Sequence, residues 1–74
     1  MHAVSAGDVG KRIAEYAGIG PAPADDPVAQ AEAALFIEDV FDLKLTDDDM
    51  SVERLGTFEA MERLVLERLA GRGR

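Results

Sequence analysis

Asp26-Pro27-Val28-Ala29-Gln30-Ala31-Glu32-Ala33-Ala34-Leu35-Phe36-Ile37-Glu38-Asp39-Val40-Phe41 is the stretch on which the fold turns. Asp26 offers a side-chain oxygen to the unpaired N–H groups of a helix start. Pro27 has φ near the helical value and no N–H to satisfy, so it fits the first helical position. Nothing from 28 to 41 breaks a helix, and the run is rich in Ala, the strongest helix former. The spacing predicts a helix over 27–41. Val28, Ala31, Leu35 and the 37–41 run supply a broad apolar stripe; Gln30, Glu32, Glu38, Asp39 and Asp42 supply polar positions. Ala31, Leu35, Glu38 and Asp42 share one row, so the two faces mix near the C-terminal end. Of the adjacent Phe36 and Ile37, one falls at the core boundary.

Upstream, the 18–26 segment reads as a loop, since the ten residues from Gly18 to Pro27 hold two Gly and all three Pro of the chain. Before it, Val9, Ile13, Tyr16 and Ala17 follow helical spacing over 6–17, with Ser5 as N-cap, Asp8 three residues on and Gly18 past the end. Downstream, Asp42-Leu43-Lys44-Leu45-Thr46 alternates polar and apolar and predicts an extended connector that pins Leu43 or Leu45 into the core. Thr46 then caps a short helix over 47–54, whose three leading aspartates suit the positive end of a helix dipole. Met50, Val52 and Leu55 are its expected anchors. A last helix over 57–70 has Thr57 as N-cap and Phe58, Met61, Leu64, Val65, Leu66 and Leu69 inward. Glu59, Glu62, Arg63, Glu67 and Arg68 lie mostly outward, with Glu59 and Arg63 a favourable i,i+4 pair, and Gly71 ends the helix. The expected architecture is all-α: a small three-to-four-helix bundle occupying 1–74 as one domain.

Composition narrows the function. Eight Lys+Arg against fifteen Asp+Glu gives a net charge of −7, which argues against nucleic-acid backbone and anionic membrane surfaces as partners. The 47% of hydrophobic residues is ordinary for a globular domain, so disorder is not expected. There is no Cys, and the one His is His2. Thiolate chemistry and a His-centred triad are therefore absent from the expectations. No apolar run has the length of a membrane span, and no basic-then-apolar leader opens the chain, so a cytoplasmic, non-catalytic domain is expected.

Few motifs carry chemistry. Asp25-Asp26 and Asp47-Asp48-Asp49 are the cation candidates, but the second lacks the alternating ligands and central Gly of a calcium loop. Helix-start charge explains both, and no metal site is expected. The glycines at 7, 10, 18 and 20 do not match a phosphate-cradling spacing. Glu32, Glu38, Asp39 and Asp42 place four carboxylates on or beside one helix. Such charges are either a solvated face or a docking surface for a basic partner.

The run from Leu35 to Met50, LFIEDVFDLKLTDDDM, resembles an acyl carrier protein from the end of its second helix to its short third helix. Leu55-Gly56-Thr57-Phe58 resembles the entry to the carrier's last helix, and Val9, Lys11, Ile13, Glu15, Gly18 and Ile19 resemble its first. The resemblance implies a carrier-like bundle whose acidic second helix meets basic patches on enzymes of fatty-acid, polyketide or peptide assembly. The corresponding partner-binding residues are Glu32, Glu38 and Asp39, with Asp42 beside them.

Two departures qualify it. The family attaches phosphopantetheine to a Ser at the start of helix two, where this chain has Pro27. Pro27 has no hydroxyl, so no cofactor is expected there. The only serines, Ser5 and Ser51, lack the surrounding motif, and phosphopantetheine enters only if cargo is held at an unconventional site. The loop between helices one and two is also shorter than the family's, which leaves an apolar cleft or calls for a partner. Pairing with a second copy is the alternative remedy for so small a core. The resulting expectation is a divergent carrier-like domain that binds a protein and has no reaction of its own.

Overall fold

The computed structural model describes residues 6–72, all of whose regular elements are helical. In chain order these are α1 (Ala6–Ala17), α2 (Pro27–Phe41), a 3-10 turn (Asp47–Asp49), α3 (Val52–Leu55) and α4 (Phe58–Arg72). The bundle is all-α, as expected. The starts of α2 and α4 follow from local capping. The Asp26 carboxylate accepts the Val28 N–H at 3.0 Å, ahead of Pro27. The Thr57 hydroxyl oxygen accepts the Ala60 N–H at 3.0 Å. Ser5, expected to cap α1, lies outside the described residues, as does His2.

The later elements differ from expectation in three respects. The segment 47–54 is two elements, because Ser51 takes an extended conformation and its hydroxyl accepts the Arg54 N–H, starting α3 afresh. Gly71 does not end α4, which continues to Arg72. Val52 is half exposed and anchors nothing, leaving Leu55, fully buried, and Met50, partly buried, to hold the segment.

α4 is the hub. It packs against α1 and α3, and α3 packs against α2. Val9 and Ile13 of α1, Ala33, Ala34, Ile37 and Phe41 of α2, Leu55 of α3, and Met61, Leu64 and Val65 of α4 form the core. Leu43 of the connector is buried with them, and Leu45 packs at the edge. Phe36 sits at the boundary while Ile37 is fully buried. The Tyr16 ring stacks on Phe36 at 4.3 Å and meets Phe58 edge-on at 6.3 Å, tying α1 to α2 and α4. Such contacts add about 0.5–1.5 kcal/mol each beyond area burial.

The short loop is anchored by polar contacts. Ala24, at φ 52°, donates its N–H to the Gly56 carbonyl at 2.9 Å. Its own carbonyl accepts Nε2 of Gln30 at 2.7 Å. Gln30, expected on the polar side of α2, is buried, and this bond satisfies its amide. Gly56 must stay a glycine: a Cβ there would collide with the Val52 carbonyl oxygen and lie 2.6 Å from Val52 Cγ2.

The connector is closed by charge. Asp49 stands in the first turn as the expected helix-start charge, but it is only 1% exposed. Its carboxylate accepts Arg68 Nη2 at 2.6 and 2.8 Å, the Thr46 N–H at 2.9 Å and the Thr46 hydroxyl at 3.2 Å. Arg68, expected outward, turns back over the connector and also donates to the Lys44 carbonyl at 3.3 Å. Burial pushes the Asp49 carboxyl up, but the Thr46 N–H and the Arg68 guanidinium outweigh this and hold it below the usual carboxylate range.

Candidate functional site

α2 buries Gln30, Ala33, Ala34, Ile37 and Phe41. A helix turning 3.6 residues per turn then presents Val28, Glu32, Leu35 and Asp39, at i, i+4, i+7 and i+11, on the opposite side. Val28 is 68% exposed and Leu35 65%, and Glu32 and Asp39 are exposed beside them. Aliphatic and acidic side chains thus alternate along about 16 Å of helix. This corrects the placing of Val28 and Leu35 in the core stripe. Core-facing positions are fixed by the packing of Ile37 and Phe41, and those two residues fall on the far side.

The four carboxylates proposed from sequence do not act alike. Glu32 and Asp39 belong to the outer stripe. Asp42 is exposed at its C-terminal end, in a left-handed conformation (φ 55°), and donates its N–H to the Glu38 carbonyl. Glu38 is half-buried and structural: its carboxylate accepts the Leu45 N–H at 2.9 Å, pinning the connector to α2. The sequence signal that could have singled out the stripe is the i, i+4, i+7, i+11 alternation of Val, Glu, Leu and Asp.

A hollow flanks each side of this ridge. One, of about 320 Å³, lies between α2 and the connector, with Ala31, Leu35, Glu38, Leu45 and Met50 in its walls. The other, of about 290 Å³, lies where the shortened loop was expected to leave a cleft. Tyr16, Ile19, the 20–23 segment, Asp26, Ala29 and Glu32 line it. It is not purely apolar, since two carboxylates reach it. Burial, and secondarily the Glu32 charge, raise the Tyr16 phenol above its ordinary value.

Pro27 forms the exposed first turn of α2, so a ring stands where the resembled family has its hydroxyl. Ser51 is partly buried and spends its oxygen on capping α3. Among the described residues no three Asp, Glu, His or Cys side chains converge as metal ligands, and no helix is long and apolar enough to cross a membrane.

The fold and its exposed ridge define a small all-α domain with one acidic and aliphatic helix face. No protein-family model, no curated protein and no solved structure matches the chain.

Proposed function

We propose that this is a non-catalytic, carrier-protein-like domain that binds a partner protein through the outer face of α2. The observation that carries the reading is the pair Val28 and Leu35, both about two-thirds exposed, set in line with Glu32 and Asp39. Covering one large aliphatic side chain contributes about 1.5–3 kcal/mol when burial is complete. The flanking carboxylates select for a basic rim and speed encounter with it. A second copy is a poor occupant, because each copy carries a net charge of −7 and the two acidic faces would repel. The resemblance to acyl carrier proteins makes an enzyme of fatty-acid, polyketide or peptide assembly the proposed partner. Pro27 in place of the attachment serine supports a scaffolding or regulatory part over a cargo-bearing one.

Crosslinking in the native host, read by mass spectrometry, tests this. Proteins joined to α2 in the wild type should be lost both from Val28→Ser/Leu35→Ser and from Glu32→Lys/Asp39→Lys. Crosslinks that survive both variants refute the docking face. Intact mass gives the second check: a phosphopantetheine-sized increment on the purified protein would make it a working carrier and overturn the non-cargo role.

A further inference from the structure

The cleft beside α2 has a composition that the docking ridge does not explain. Three elements build it: the end of α1, the 18–26 loop and the first turns of α2. Tyr16 supplies an aromatic wall, held in place by stacking on Phe36 at 4.3 Å and 19°. Ile19 stands at the lip, 82% exposed, so an apolar side chain borders the opening. Asp26 and Glu32 bring two carboxylates to the same walls. Asp26 is fixed by its bond to the Val28 N–H, which leaves acceptor capacity on the carboxylate. Neither forms an ion pair with a Lys or Arg among the described residues; Arg12, Arg54 and Arg68 pair elsewhere. No basic residue among the described ones lines the cleft.

A fixed ring, an apolar lip and two unpaired carboxylates around about 290 Å³ suit a flat cation on an alkyl stem. An arginine side chain meets these needs: its alkyl stem packs on the ring and the lip, and its guanidinium pairs with carboxylates through a planar fork and is less strongly hydrated than ammonium. We propose that this cleft receives an arginine side chain of the partner protein, its stem against Tyr16 and Ile19 and its guanidinium toward Asp26 and Glu32. The source of the arginine rests on the docking role proposed above for α2; the affinity of the cleft for guanidinium does not.

Propylguanidinium is the probe, with propylammonium and neutral propylurea as comparisons at constant ionic strength. Tyr16 is the only tyrosine and the chain has no Trp, so tyrosine emission comes from one wall of the cleft. Propylguanidinium should give a saturable change in Tyr16 emission together with NMR shifts at Ile19 and Ala29. Propylammonium should bind more weakly and propylurea should not saturate. Glu32→Gln should weaken propylguanidinium roughly three- to five-fold, while Glu59→Gln, on the exposed start of α4, should leave it unchanged. The proposal is overturned by absence of saturation, by an equal response to propylurea or propylammonium, or by an equal loss in Glu59→Gln. None of these readouts involves the partner, so the Val28/Leu35 crosslinking test stands or falls separately.

Discussion

Replacing Arg68 by Met removes the guanidinium that closes the connector and keeps most of the apolar stem. Asp49 would keep the Thr46 N–H and hydroxyl, with Arg54 Nε at 3.9 Å as the nearest remaining cation. Breaking a fully buried ion pair costs about 3–5 kcal/mol. Arg68 is about a third exposed and Arg54 can partly substitute, so about 2–3 kcal/mol is expected here. In a domain this small that lowers Tm by roughly 10–20 °C. The cost also depends on pH. Asp49 is held below its ordinary value of 3.8 in the fold, so its contribution is full above that value and is lost as pH falls through the folded pKa. Once Asp49 is protonated in both proteins, wild type and variant should approach equal stability. Urea unfolding followed by far-UV circular dichroism, from neutral pH to the acid limit, reads both effects. A cost below about 0.5 kcal/mol at neutral pH, or one that does not shrink on acidification, would refute an ionised Asp49 clamped by Arg68.

Other substitutions separate buried from exposed positions. Gly56→Ala should cost about 2–3 kcal/mol in chemical denaturation, since the new methyl meets the Val52 backbone and side chain. Leu35→Ala should stay within about 0.5 kcal/mol of wild type, whereas Ile37→Ala, two residues away and fully buried, should cost about 2–4 kcal/mol. Gln30→Leu should cost about 1–2 kcal/mol and speed amide exchange at Ala24, because the Ala24 carbonyl loses the Gln30 amide donor. Equal costs for Leu35→Ala and Ile37→Ala would show that α2 is rotated from its described setting.

Sequence alone determined the helical elements whose causes are local. Asp26-Pro27 starts α2, Thr57 starts α4, and the Gly/Pro run between 18 and 26 is a loop, because caps, ring constraints and breakers act within a few residues. The inward choice of Val9, Ile13, Met61, Leu64 and Val65 was legible too, from their three-and-four spacing. Tertiary structure decided which side of α2 faces in. Its apolar residues run nearly all the way round, so periodicity names no core face, and the packing of Ile37 and Phe41 sends Val28 and Leu35 out. It also chose one carboxylate of the Asp47-Asp48-Asp49 run for burial. Its place three residues after the Thr46 cap gives Asp49 a local bond to the Thr46 N–H, but nothing local predicts an arginine nineteen positions on; only the path of the connector over α4 brings Asp49 under Arg68.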